Sequence, residues 1–157
     1  MNFKSANMSP RIRITREFTF EMAHVLWNYN GPCRNLHGHS YKLFVTLEGR
    51  PFDDPDNPKN GMVIDFSDIE SIVNSEIIDV FDHSVVAGTH MNEEKIRLLA
   101  QMFSNIVPVG YQPTCENLVA DFAARLMTKL PQGVRLHSVK LYETANSYAE
   151  WHASDNE

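Results

Sequence analysis

The sequence alternates apolar and polar residues from Arg11 onward, and this alternation constrains the fold more than any other feature. The polar positions are charged residues or threonine, and Arg16 is the one break in the pattern. The apolar side chains on the other face are Ile12, Ile14, Phe18, Phe20 and Met22. Period two over this length predicts a half-buried antiparallel β-strand, and it puts His24 on the apolar face at the end of that strand.

Three further segments are predicted to be strands. In "YKLFVTLEG" (residues 41–49) the apolar residues again recur at every second position. The segments "VRLHSVKLYE" and "SYAEW" predict the last two strands, joined as a hairpin around "TANS".

Two helices are predicted between the two pairs of strands. The first runs from about residue 67 to residue 78, where Ser67 and Glu70 form a capping-box pattern. The second begins at Thr114, a suitable N-cap, and ends before "PQG". Its buried stripe consists of Leu118, Phe122, Leu126 and Leu130. Residues 89–112 fit either a short helix or a loop with a helical turn. This order of elements predicts an α+β fold whose helices cover one face of an antiparallel sheet.

Length and composition set limits on the class of protein. At 157 residues the chain is expected to form one domain spanning 1–157, with residues 1–10 as a loose tail. A net charge of −6 argues against a nucleic-acid partner. No apolar run is long enough to span a membrane, and the first residues lack the apolar core of a secretory signal, so a cytoplasmic protein is expected. The two cysteines, Cys33 and Cys115, are expected to be free thiols.

The stretch "GPCRNLHGHSYKLFV" contains a candidate metal site. His37 and His39 lie two apart, so an extended chain points both imidazoles to the same side, and a paired first strand could bring His24 to them. Three neutral imidazoles with one open position are typical of a catalytic zinc ion. A histidine on an apolar strand can equally be a hydrogen-bonded core residue. Cys33 fits a fourth ligand, a catalytic base or nucleophile, or an inert loop thiol.

Two other parts of the sequence contain candidate catalytic or substrate-binding residues. Asp82 and His83 in "VFDHSVV" are suited to proton transfer, although an aspartate capping a turn beside a surface histidine has the same sequence. Glu143 shares its phase with Val139 and Leu141 and is therefore expected to point inward. An inward carboxylate needs a partner, and a guanidine-like heterocycle edge with paired N–H donors would suit it.

These segments together resemble a known family. "FEMAH", "CRNLHGHSY", "GMVIDFSDIE", "VFDHSVV", "PTCENL" and "KLYETANSYAEW" occur in the order and spacing of the 6-pyruvoyl-tetrahydropterin synthase family, from about Arg13 to Trp151. The short gap between Cys33 and His37 resembles the bacterial branch of that family, the 6-carboxy-5,6,7,8-tetrahydropterin synthases of queuosine biosynthesis.

The resemblance implies roles for individual residues near the metal. It implies that zinc is bound by His24, His37 and His39. Cys33 would accept a proton rather than bind the metal, and His83, oriented by Asp82, would be the second proton-transfer group.

The resemblance also implies a pterin pocket. Glu143 would anchor the 2-amino pyrimidinone edge of the pterin and be linked to the proton relay. Thr114 and Glu116 would line the pocket. Cys115 departs from the family pattern, because many relatives have serine or threonine at this position.

The reaction implied starts from 7,8-dihydroneopterin triphosphate. A zinc-dependent lyase would convert it to 6-carboxy-5,6,7,8-tetrahydropterin, acetaldehyde and triphosphate without a redox cofactor. The alternatives are the pyruvoyl-forming synthase and a non-catalytic, zinc-stabilised interaction module in which Cys33 is the fourth ligand.

The fold implied is the tunnelling fold, a four-stranded antiparallel sheet with two helices on one face. Protomers would pair their edge strands into a β-barrel, three to a barrel, and two stacked barrels would form a homohexamer with sites at subunit boundaries.

Overall fold

A computed structural model of the chain describes residues 9–157. Most of the predicted loose tail, residues 1–8, therefore lies outside the described residues. The six strands are β1 (Ile12–Val25), β2 (His37–Gly49), β3 (Ser84–Gly88), β4 (Ile106–Val109), β5 (Val134–Thr144) and β6 (Ser147–His152). The three main helices are α1 (Phe66–Val73), α2 (Glu93–Met102) and α3 (Cys115–Met127).

The strands form one mixed sheet in the order β4-β3-β1-β2-β5-β6. The neighbours β1, β2, β5 and β6 are antiparallel, as predicted, including the closing hairpin. The predicted total of four strands is wrong, because β3 and β4 extend the sheet in parallel beyond β1. All five residues of β3 are buried, so this short strand has no polar–apolar alternation for sequence analysis to detect. The α+β class is confirmed.

The main core lies between the sheet and the helices α1 and α3. Phe20 of β1 packs on Tyr41 of β2 with ring centroids 5.3 Å apart, and Phe122 of α3 meets Phe81 at 5.0 Å. Arg16, the one break in the alternation, also has a partner on this side. Its guanidinium donates to the Phe66 carbonyl at 2.9 Å at the start of α1.

The capping box predicted for α1 is wrong. Asp65 is the N-cap, and its carboxylate accepts a hydrogen bond from the Ser67 N–H at 2.8 Å. Glu70 instead pairs with Arg16 at 2.7 Å. An aspartate is a strong acceptor at the positive end of a helix, so Asp65 supersedes Ser67 as the cap. The helix then continues beyond α1 through a π-helical turn (Asn74–Ile78) and a last turn (Asp79–Phe81).

The ambiguous segment, residues 89–112, contains a true helix, α2. Its side chains pack on a second buried cluster made of Val25, Ala87 and Met91. Val25 follows His24 directly in β1, so the two side chains point to opposite faces of the sheet. The helix α2 therefore lies on the opposite face from α1 and α3, and the predicted pair of helices on one face corresponds to α1 and α3.

The helix α3 begins as predicted. The Thr114 side chain accepts a hydrogen bond from the Asn117 N–H, which makes Thr114 the N-cap. Leu118, Phe122 and Leu126 are fully buried, whereas Leu130 lies beyond the end of the helix and is half-buried. Within residues 9–157 no helix has both the length and the apolar character needed to cross a membrane.

Candidate active site

The register of β1 and β2 brings three histidines together. The strands pair antiparallel, with His24 opposite His37 and Met22 opposite His39. The two histidines of β2 lie on one face because a single residue, Gly38, separates them. A Cβ atom at Gly38 would lie only 3.3 Å from the Met22 carbonyl oxygen, so glycine permits the close approach of the strands. The predicted pairing of the two strands is confirmed.

The three imidazoles form a compact cluster. One ring nitrogen from each of His24, His37 and His39 lies within 4.8 Å of the others. The Nε2 atoms of His24 and His37 are 3.0 Å apart. His24 is only 1% exposed, and His37 and His39 are half-buried.

Backbone carbonyls select the tautomer of two of these imidazole rings. His24 Nδ1 lies 2.7 Å from the Pro113 carbonyl oxygen, and His37 Nδ1 lies 2.7 Å from the Asn35 carbonyl oxygen. A carbonyl can only accept, so both Nδ1 atoms must donate. In the neutral rings the two Nε2 lone pairs then face each other, an arrangement that a cation between them would stabilise.

The third histidine supports the same conclusion. His39 Nε2 is buried and has no hydrogen-bond partner among the described residues. Buried polar atoms of this kind are rare and call for a partner. Burial also lowers the pKa of His24 and of His39, which favours the neutral form that binds metals. The cluster could therefore hold a metal ion.

Glu143 of β5 points inward beside the cluster, as predicted. Its Oε1 atom lies 3.7 Å from His24 Nε2 and 4.0 Å from His39 Nε2. The Tyr41 hydroxyl donates to the same oxygen at 3.5 Å. The Glu143 side chain is 26% exposed, so it is also accessible from the neighbouring pocket.

That pocket is a cavity of about 310 Å³ between α3 and the β5–β6 hairpin. Thr114, Glu116 and Glu143 all line it, so the structure brings the three predicted substrate-binding residues together. Thr114 and Glu116 are there because they form the first turn of α3. A carboxylate deep in such a pocket can recognise a ligand edge that carries two N–H donors.

Cys115 lines the same pocket but is not a reactive thiol. Its sulfur donates to the Leu141 carbonyl oxygen at 3.2 Å, and the side chain is buried. Burial raises the pKa of Cys115 to about 11. The group is therefore protonated at neutral pH and acts as a small packing residue.

Cys33 lies in the loop between β1 and β2, within a short 3₁₀ turn (Pro32–Arg34). It is half-buried, and its carbonyl accepts a hydrogen bond from the Leu26 N–H at 3.4 Å. Among the described residues the cluster of candidate ligand atoms contains the three histidines and not this thiol. If the three histidines held a metal, this arrangement would leave it an open position, as in catalytic sites.

Asp82 and His83 form the expected pair. His83 Nδ1 donates to Asp82 Oδ1 at 2.9 Å, and the Glu21 N–H donates to the same carboxylate at 2.9 Å. Burial alone would raise the pKa of Asp82, but these hydrogen bonds hold it below its usual value. The His83 side chain is 77% exposed and borders a second, shallow cavity of about 380 Å³, which His39, Glu21 and Ser40 also line.

Comparison with known proteins agrees with this architecture. The sequence profile of the family described as 6-pyruvoyl tetrahydropterin synthase matches residues 13–154. The chain belongs to this family.

Relatives named 6-carboxy-5,6,7,8-tetrahydropterin synthase match nearly their whole length. The protein from Haemophilus influenzae is 38% identical over 88% of this chain and 97% of its own. The protein from Rickettsia typhi is 31% identical over 88% of this chain and 99% of its own. The protein from Aquifex aeolicus is 31% identical over 88% of this chain and 96% of its own. The family and the prediction of an enzyme are confirmed.

Solved structures show the same fold. An uncharacterized protein from Wolinella succinogenes has a TM-score of 0.74 at 23% identity, covering 92% of this chain and 99% of its own. The 6-pyruvoyl tetrahydropterin synthase of Caenorhabditis elegans has a TM-score of 0.65 at 22% identity, covering 93% of this chain and 98% of its own.

Several residues at the site of this family member are not predicted from the sequence. Tyr41 is in phase with the apolar residues of β2, and only the need of a buried hydroxyl for a partner signals its contact with Glu143. Pro113 and Asn35 act through backbone carbonyls, which no side-chain pattern reveals. Gln112 lies in the segment that gave no recognisable motif.

Proposed function

We propose that the chain is a zinc-dependent lyase that converts 7,8-dihydroneopterin triphosphate and water to 6-carboxy-5,6,7,8-tetrahydropterin, acetaldehyde and triphosphate. The observation that carries this proposal is the meeting of a three-histidine cluster with an inward carboxylate at the edge of a pocket. The names of the relatives support the product. Oxidation of the side chain balances reduction of the ring, so the reaction needs no redox cofactor.

The metal would be held by His24, His37 and His39. The facing Nε2 atoms and the unpartnered His39 Nε2 are the features that fit a cation. Three imidazole ligands with no fourth protein ligand fit zinc in a catalytic site. When bound, zinc supplies a Lewis acid that polarises the side-chain hydroxyls of the substrate.

Glu143 would anchor the pterin. Its carboxylate can accept one hydrogen bond from the 2-amino group and one from the adjacent ring N–H. Its position, within 4.0 Å of two imidazole nitrogens, would hold the pterin side chain over the cluster. Thr114 and Glu116 would line the same pocket, where they flank the ring.

The proton transfers are assigned to Cys33 and His83. Cys33 would accept a proton from the pterin side chain as a thiolate. Asp82 accepts the Nδ1–H of His83, which leaves Nε2 of His83 free to give or take the second proton. Among the described residues His83 is not one of the clustered ligand atoms, and its side chain is 77% exposed in a cavity that it shares with His39. We propose that this exposed imidazole serves a site completed by a neighbouring subunit.

Two open sheet edges support such an assembly. Within the described part of the chain, β6 forms one edge, and β1 pairs with β3 only from Met22 onward. Residues 12–20 of β1 therefore have no described strand on that side, whereas the Glu21 N–H and carbonyl are paired with Asp82 and His83. Open edges tend to pair with other strands. We propose that three copies close a barrel through these edges and that two barrels stack into a homohexamer.

We propose that the chain acts as a single domain in the cytoplasm. Its product would serve as a precursor in the biosynthesis of queuosine, a 7-deazapurine nucleoside. This is the pathway that the resemblance implies.

Product analysis tests the reaction. Incubation of the zinc-loaded protein with 7,8-dihydroneopterin triphosphate should release acetaldehyde together with a 6-carboxypterin. The second candidate is the pyruvoyl-forming synthase, which the family's description and the C. elegans structure favour. A 6-pyruvoyl product without acetaldehyde would establish that activity instead.

A further inference from the structure

The side-chain amide of Gln112 forms two hydrogen bonds with the backbone of Trp27. Its Nε2 donates to the Trp27 carbonyl oxygen at 2.9 Å, and its Oε1 accepts from the Trp27 N–H at 3.2 Å. Both halves of the amide are therefore paired with one residue, as two strands pair in a sheet. Two simultaneous hydrogen bonds fix the orientation of Trp27 as well as its distance.

Trp27 begins the loop that carries Cys33. The preceding residue, Leu26, donates its N–H to the Cys33 carbonyl oxygen at 3.4 Å, and the Tyr29 N–H returns to the Leu26 carbonyl at 3.3 Å. These two hydrogen bonds fold the loop back onto Leu26, the neighbour of Trp27. The Lys95 ammonium of α2 lies 3.7 Å from the centroid of the Trp27 ring and holds the loop from a second side.

Gln112 is anchored to the rest of the site through its own backbone. Its carbonyl accepts from the Thr114 N–H at 2.7 Å and from the Asn117 side-chain amide at 2.9 Å, at the start of α3. The next residue, Pro113, accepts the Nδ1–H of His24. The pterin pocket, the metal cluster and the Cys33 loop therefore meet at Gln112.

We propose that Gln112, assisted by Lys95, is a positioning residue that sets where the Cys33 thiol stands relative to the metal cluster and the pterin pocket. The role of Cys33 as the proton acceptor belongs to the proposed function, on which this inference rests. A misplacement of about 1 Å can cost about 100-fold in rate. Loss of the two hydrogen bonds between Gln112 and Trp27 should therefore lower kcat about 10- to 100-fold.

The first test replaces Gln112 with methionine, which has a similar size and no hydrogen-bonding amide. Gln112→Met should lower kcat about 10- to 100-fold. It should change the KM by less than about threefold and retain the metal content. Gln101→Met is the matched control, because Gln101 is an exposed glutamine on α2 without a side-chain hydrogen bond among the described residues. A KM increase at constant kcat would mean that Gln112 binds substrate directly, and it would overturn the proposal.

A second variant separates positioning from simple packing. In Gln112→Glu, an ionised carboxylate can accept from the Trp27 N–H but cannot donate to the Trp27 carbonyl, whereas a protonated carboxyl can do both. The ratio of its kcat to that of the unsubstituted protein should rise as the pH is lowered from about 8 to about 5.5. The same ratio for Gln112→Met should stay flat. Parallel profiles for the two variants would contradict the inference.

A third measurement does not depend on turnover. The rate of alkylation of Cys33 by iodoacetamide, followed by mass spectrometry of its peptide, should rise several-fold in Gln112→Met as the half-buried loop is released. Equal rates would overturn the positioning role even if the proposed reaction were wrong. If Gln112→Met fails to fold, Lys95→Met provides the same comparison, with a smaller expected rise in alkylation and loss of kcat.

Discussion

Replacing Glu143 with glutamine tests the link between the pocket and the metal cluster most directly. The change keeps the size of the side chain but removes its charge and one acceptor oxygen. The carboxylate should receive two hydrogen bonds from the pterin, whereas the amide can receive one and must turn its own NH₂ toward the second donor. The pterin then loses one charge-assisted hydrogen bond and meets an opposing donor.

The size of the loss follows from the surroundings of Glu143. A hydrogen bond to a charged group contributes about 1.5 to 3 kcal/mol. The side chain is only 26% exposed, so water replaces the lost bond poorly. We expect Glu143→Gln to weaken pterin binding by about 2 to 3 kcal/mol, a rise of roughly 30- to 150-fold in Kd.

Titration calorimetry with a non-reacting pterin, such as 6-carboxypterin, measures this change. Metal content is determined in the same samples and should stay at about one zinc per chain. Glu76→Gln is a matched control, because Glu76 lies in the π-helical turn after α1, outside the pocket, and pairs with Lys129 at 3.3 Å. An unchanged Kd would remove Glu143 from the pterin site. Loss of zinc would instead make Glu143 a metal ligand.

Four further predictions address the metal, the thiol, the effect of pH and the assembly. Alanine at His37 or His39 should abolish binding of about one zinc per chain, measured by plasma mass spectrometry, and equal metal content in both variants would exclude this ligand set. Cys33→Ala should keep zinc and lose turnover, whereas loss of zinc would favour the interaction module. Burial lowers the pKa of His24 and His39 in the folded chain, so the unfolded chain binds more protons below about pH 6.5. The free energy of unfolding of the metal-free protein, from urea titrations, should therefore fall as the pH drops through 6.5, and a rise would contradict these shifts. Light scattering at micromolar protein should give a hexamer mass, and a monomer mass would refute the assembly.

The histidine cluster could be predicted from sequence because its residues belong to a regular pattern. One face of β1 and β2 is buried, and a shift of one residue would move every core side chain to the wrong side, so the pattern puts His24, His37 and His39 on the same face. A shift of two residues would keep that facing, so the pairing of His24 with His37 comes from the structure and not from the pattern. The inward orientation of Glu143 follows from the same period-two rule.

Other elements carry no such local signal. The strand β3 is fully buried and parallel, so alternation is absent, and β4 spans only four residues. The capping box at Ser67 does not form, because Asp65 caps the helix two residues earlier and Ser67 lies within its first turn. The carbonyls that orient His24 and His37 depend on how distant segments fold together.

Asp82 and His83 form an exposed part of the candidate site, with 36% and 77% of their side chains accessible. His83 adopts a left-handed backbone, with φ at 54°, which costs a non-glycine residue roughly 1 to 3 kcal/mol. Its N–H donates to the Glu21 carbonyl at 2.6 Å, and its ring is held by Asp82, so the surrounding bonds offset this cost. The result is an oriented imidazole whose other nitrogen faces outward. Such an arrangement favours a partner outside the chain, and the open edges of β1 and β6 are where a second copy would supply one. Assembly would then bring a second copy to the cavity that His83 shares with His39, and patterns within a single sequence cannot predict such a contact.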